Sequence, residues 1–98
     1  MYKAVILPLA KEDISQAASW YESKQSGLGK RFTNEVRSNV LYIRKNPKAS
    51  AIRYGITRCA VLNIFPFMIH YNIDEETKSI IINAVFHTSL NPEEWLNR

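Results

Sequence analysis

The chain holds one cysteine, two histidines and three glycines in 98 residues, and each shortage closes off a class of protein. Cys59 alone cannot make an internal disulfide. With two histidines it cannot build a thiolate–imidazole cage either, so no metal site is expected. The simplest compartment for such a chain is the reducing cytoplasm. Gly27-x-Gly29 follows a helical stretch rather than a strand, so it does not form a phosphate loop, and no nucleotide cofactor is expected. Long apolar runs are missing as well. The longest, residues 59–69, is broken by Asn63 and Pro66, whereas a membrane-spanning helix needs about 20 apolar residues. Lys3-Ala4-Val5-Ile6-Leu7 is too short for a secretory core and is soon followed by Lys11-Glu12-Asp13, so it reads as a first strand. The length suits a single domain over residues 1–98, and 46% apolar residues are enough to give it a core.

Negative charge is scarce in one place. Residues 30–58 contain Lys30, Arg31, Arg37, Arg44, Lys45, Lys48, Arg53 and Arg58 against Glu35 alone, a local balance of +7. Residues 1–29 sum to zero and residues 59–98 to −3, which makes the total of +4. A middle third this basic attracts a polyanion or an acidic protein, although a solvated helix face has the same composition.

The hydrophobic period divides the chain in two. Ile14, Ala17, Ala18 and Tyr21 fall on one face of a helix over residues 11–24. Phe32, Val36, Val40 and Ile43 do the same for a helix over residues 30–44, which Asn46-Pro47 stops. The short glycine turn between them predicts an antiparallel hairpin. From residue 51 the period becomes two. Strands are expected over 51–56, 59–65, 67–73 and 79–87, with Ile80, Ile82, Ala84 and Phe86 sharing one face of the last. Asn91 can cap a final short helix that starts at Pro92 and docks Trp95 onto the body. The expected fold is α+β: an N-terminal strand, the helical hairpin, then a mostly antiparallel three- to four-stranded sheet and a short C-terminal helix. Asn63, Asn72, Asn83, His70 and His87 are expected on a partly open sheet face.

Several spaced motifs then combine. Ala17-x-x-Trp20-Tyr21-Glu22, Gly27-Leu28-Gly29-x-x-Phe32-x-x-Glu35-Val36 and Asn46-Pro47 precede Arg58 and Phe65-Pro66-Phe67-x-Ile69-x-Tyr71. Ile82-x-Ala84-Val85-Phe86-His87-Thr88-Ser89-x-Asn91-Pro92-x-x-Trp95 completes the series. Together they resemble the RelE/ParE toxin superfamily, and the second half is similar to its ParE-like, plasmid-stabilisation branch. The resemblance implies the toxin of a type II toxin–antitoxin pair, a growth inhibitor bound by a cognate antitoxin in a hetero-oligomeric complex. Some members of this superfamily cut mRNA on the ribosome, and others poison DNA gyrase and cut nothing. Family members often carry arginine directly after His-Thr-Ser. Here Leu90 stands there, and a phosphate-binding cation is missing, so a third reading beside gyrase poison and endonuclease is an inactive relative that only binds the antitoxin.

Each reading has its own candidate residues. A ribosome-dependent, metal-independent endonuclease needs an acid–base group, a cation for the phosphate and a proton donor for the leaving oxygen. His87, Arg58 and Tyr54 are the candidates, with Arg53 or His70 able to complete the set. Alternatively the two histidines only hydrogen-bond on a sheet face and Arg58 only pairs with a carboxylate. A gyrase-binding toxin needs exposed apolar and basic groups on the hairpin and tail. For that role, or for antitoxin binding, the candidates are Trp20, Arg37, Arg44, Lys45, Lys48, Arg53 and Trp95. Tyr21 and Phe67 are expected in the core rather than as base-stacking platforms, and Cys59 as a small core residue.

Overall fold

Pro8 accounts for the first change of structure. It ends strand β1 (Lys3–Ile6) and occupies the first turn of helix α1 (Pro8–Lys24), where a missing N–H costs nothing. The helix therefore begins three residues before its polar–apolar period becomes visible at Lys11. The computed structural model describes residues 1–97. After α1 come helix α2 (Leu28–Lys45), strands β2 (Ile52–Tyr54), β3 (Thr57–Val61), β4 (Phe67–Asp74) and β5 (Ser79–His87), and the short helix α3 (Pro92–Trp95).

The Gly-Leu-Gly turn closes the hairpin for two separate reasons. Gly27 sits at φ +88°, a left-handed conformation that side chains disfavour. At Gly29 the helices cross so closely that a Cβ would lie 2.5 Å from the Ala18 carbonyl oxygen. The Glu22 carboxylate completes the turn by accepting N–H bonds from Gly27 and Gly29.

The sheet has five strands in the order β1-β5-β4-β3-β2. β1 joins it parallel to β5, pairing Lys3 with Ser79 through Ile6 with Ile82, and every other pairing is antiparallel. The helices cover one face. Phe32, Ile43, Ile69, Tyr71, Ile80 and Ile82 are almost fully enclosed between the layers. Burial of each such side chain contributes roughly 1.5–3 kcal/mol.

Two expectations change at this level. Strand β3 stops at Val61 rather than reaching Phe65, because Glu35 on α2 takes the backbone N–H groups of Asn63, Ile64 and Phe65 at 2.9–3.1 Å. On β5, Ile69 pairs with Val85 and His70 with Ala84, but Tyr71 pairs with Ile82, which leaves Asn83 as an extra residue. The bulge divides the expected single face. Ile80, Ile82 and Val85 point to the helices, while Phe86 packs on the opposite side against Met68, Cys59 and Trp95. The Asp13 carboxylate holds the bulge by accepting the Val85 N–H at 3.0 Å.

The face away from the helices is less open than its polar residues suggest. α3, capped by Asn91, lays Trp95 over its centre, where the indole is 8% exposed and His70 beneath is fully enclosed. Asn63 lies in the loop after β3. His87 pairs with Phe67 on the helix-facing side. Asn72 and Asn83 line a shallow depression with Tyr54 and Leu9.

Candidate functional site

An apolar groove of about 600 Å³ runs between α1 and the adjoining ends of β4 and β5. Ala17, Trp20 and Tyr21 supply the helical wall; Pro66, Phe67, Val85 and Phe86 supply the sheet side. Leu90 and His87 close one end, and Asp13 and Gln16 give the rim its few polar atoms. Trp20 is 57% exposed, held edge-on against Tyr21 at 5.1 Å, with the Lys24 ammonium 5.0 Å from its ring centre.

Beneath it the floor is stiff. Tyr21, Phe32, Phe65 and Phe67 form an aromatic cluster with ring centres 4.7–6.1 Å apart. Burial pushes the Tyr21 phenol above its ordinary value. Glu35 fixes the loop that carries Phe65 and Pro66, and Asp13 fixes the bulge that carries Val85. Neither Glu35 nor Asp13 is a candidate site residue in the sequence, where Glu35 appears only as the lone acid among cations and as one position of a motif. The signal that could have found it is a carboxylate fixed on a packed helix opposite a loop of free N–H groups ending at Pro66.

The nuclease candidates do not converge. The Arg58 guanidinium donates to the Ser50 carbonyl at 2.6 Å and lies on the helix-facing side beside Tyr71. Burial raises the Tyr71 phenol, and Arg58 partly offsets this. The Tyr54 hydroxyl meets His70 Nδ1 at 2.9 Å on the other face, under the edge of Trp95. His87 is opposite Phe67 while Arg58 is opposite Tyr71, so four residues of β4 and two strand spacings separate them. That is about 16 Å between their backbones. His87 Nδ1 accepts the Ser89 backbone N–H at 3.0 Å, with the Ser89 hydroxyl at 2.7 Å. An N–H cannot reverse its role, so Nδ1 keeps its lone pair and the neutral ring carries its proton on Nε2. In that tautomer the outer nitrogen has no lone pair with which to take a proton.

The binding candidates occupy several places. Arg44 donates Nε–H to the Tyr2 carbonyl at 2.8 Å and ties α2 to β1. Lys48 lies in the following loop near Glu75, whose carboxyl is held below its ordinary value chiefly by the Tyr2 hydroxyl. Arg53 lies 5.7 Å from the Trp95 ring centre on the face away from the helices. Arg37 and Lys45 are exposed on α2. A single cationic groove bounded by Arg44, Lys48, Arg53 and Arg58 is therefore not formed: Arg53 is on the opposite face, and Arg44 and Arg58 are bonded to backbone carbonyls. Of the binding candidates Trp20 lines the apolar groove, and of the nuclease candidates His87 does. Cys59 is buried, and burial raises its thiol. Among the described residues no cluster of His, Cys, Asp and Glu could hold a metal ion, and no helix is long and apolar enough to cross a membrane.

Residues 4–92 match the model for the ParE toxin of the type II toxin–antitoxin system parDE. The chain belongs to the ParE toxin family. No curated protein sequence matches it. In fold it is similar to a chain of the chromosomal ParDE toxin–antitoxin system of P. aeruginosa, at 16% identity and TM-score 0.68, covering 91% of this chain and 98% of that one. It is also similar to a chain of the intact RelBE toxin–antitoxin complex of E. coli, at 12% identity and TM-score 0.69, over 89% and 96% of the two chains. The RelBE2 complex of Mycobacterium tuberculosis gives 16% identity and TM-score 0.62, over 88% and 96%. This ParE-family chain has the expected α+β toxin fold, with β1 raising the strand number to five.

Proposed function

We propose that this ParE-family toxin inhibits growth by occupying a protein target rather than by cutting RNA, that the target is DNA gyrase, and that a cognate antitoxin neutralises it. The observation that carries this reading is the contrast at His87. One side of the residue opens on a 600 Å³ apolar groove, while its Nδ1 is engaged by the Ser89 N–H and its backbone stands about 16 Å from that of Arg58. Apolar concavities with an exposed tryptophan are the usual anchors of protein–protein binding. Leu90 extends the apolar wall at the position where related chains often carry arginine.

The antitoxin is proposed to bind through the same groove, presenting an amphipathic segment whose apolar face covers Trp20 and Phe67. A supercoiling assay with purified protein tests the target. Inhibition of gyrase by the wild type, relieved at least tenfold by Trp20→Ala, supports the reading. Undisturbed supercoiling at saturating protein removes gyrase as the target. The endonuclease alternative predicts cleaved messages in a translating extract.

A further inference from the structure

We propose that the outward face of α2 is a docking surface for the phosphate backbone of duplex DNA, separate from the apolar groove. Helix α2 has 18 residues, a length of about 27 Å. Phe32, Val36 and Ile43 fix its buried side. At roughly 100° per residue, Asn34, Ser38 and Leu41 then run along the outward meridian. Arg31 falls on one flank of that line, and Lys30 and Arg37 fall on the other. All six are exposed.

The charge on this face is uncompensated. Five cations and one acid lie on α2, and the acid, Glu35, spends both carboxylate oxygens on the loop after β3. Arg44 is committed to the Tyr2 carbonyl. Among the described residues one ion pair is found, Lys78–Glu75, away from this helix. Lys30, Arg31 and Arg37 thus face solvent with no carboxylate to neutralise them, and they complement a polyanion.

The arrangement favours one polyanion. Cations on both flanks of a polar meridian suit a helix lying in a groove with a phosphate strand on each side. The B-DNA major groove, about 12 Å wide, admits a helix, whereas the A-form groove of duplex RNA is too deep and narrow. Single strands require successive stacking platforms, and Tyr42 is the one exposed aromatic ring on α2. An acidic peptide would draw affinity from apolar anchors, and Leu41 stands alone at the centre of this face.

The test is fluorescence anisotropy of a short mixed-sequence DNA duplex titrated with the full chain over a range of salt. Three phosphate contacts predict a log–log salt slope of about −2.7. Lys30→Glu/Arg31→Glu/Arg37→Glu should weaken binding by about a hundredfold or more at low salt and flatten the slope, while Lys11→Glu on α1 should change it by less than about threefold. If the triple variant loses its wild-type circular dichroism, Arg37→Ala decides, with a slope shallower by about one. The proposal is overturned by DNA binding that is absent at low salt, or insensitive to the α2 variants. Equal or tighter binding of a duplex RNA or of polyglutamate also overturns it.

Discussion

Helices α1 and α2 lie side by side on one sheet, yet they turn opposite chemistry outward. α1 contributes Trp20 and Ala17 to an apolar groove, with Asp13 and Gln16 at its rim. α2 presents Lys30, Arg31 and Arg37 around Asn34 and Ser38. The difference originates in how each helix disposes of its carboxylates. Asp13 and Glu35 both bond backbone N–H groups of the sheet layer. On α1 this fixes a groove wall, whereas on α2 it removes the one acid that could balance the cations. A toxin assembled this way offers two surfaces that respond differently to salt, one by area and one by charge.

The comparison can be broken most severely at Phe67, which belongs to both the groove floor and the core. Phe67→Ala should cost about 3–5 kcal/mol in chemical denaturation and abolish the groove along with the fold. A sharper separation comes from Trp20→Ala. Its exposed ring should leave unfolding free energy within about 0.5 kcal/mol, while affinity for the antitoxin falls by about 2 kcal/mol or more, read by calorimetry on the copurified pair. Equal losses in stability and affinity would show that Trp20 is merely structural. Glu35→Gln replaces one acceptor oxygen by a donor, which leaves loop N–H groups unpaired. It should cost about 1–2 kcal/mol and speed amide exchange at residues 63–65 while leaving residues 27–29 unchanged.

The smallest effect concerns pH. Burial raises the Tyr71 phenol above its ordinary 10.0, and its hydroxyl donates to the Pro47 carbonyl. A raised folded-state value means that its contribution is fully present below pH 10 and is lost as pH climbs through the folded value. Thermal midpoints should therefore fall above pH 10 in the wild type and fall less steeply in Tyr71→Phe.

Much of this architecture was legible because local signals agreed. The stripe Phe32, Val36 and Ile43 forecast the buried side of α2, and Asn91-Pro92 forecast the cap of α3. Gly27-Leu28-Gly29 marked the turn, although Gly29 owes its identity to a close approach to Ala18 that no local pattern encodes. All five strands were legible, but the place of β1 in the sheet was not, because its partner is β5, far away in sequence. Parity failed at Asn83, since a bulge held by a carboxylate on another element is a tertiary event. The candidate site was only partly visible. Trp20 was among the binding candidates, but the groove needs Pro66, Phe86 and Leu90 brought to it by three different segments. Arg58, Tyr54 and His87 have the right chemical types for RNA cleavage, and sequence spacing alone does not show that the sheet holds them apart.

Message integrity tests the account most directly. Purified wild-type protein would be added to a translating extract and a defined mRNA followed by primer extension. Intact message at protein levels that arrest growth is the predicted result. Codon-spaced cleavage that disappears with His87→Ala or Arg58→Ala would contradict it.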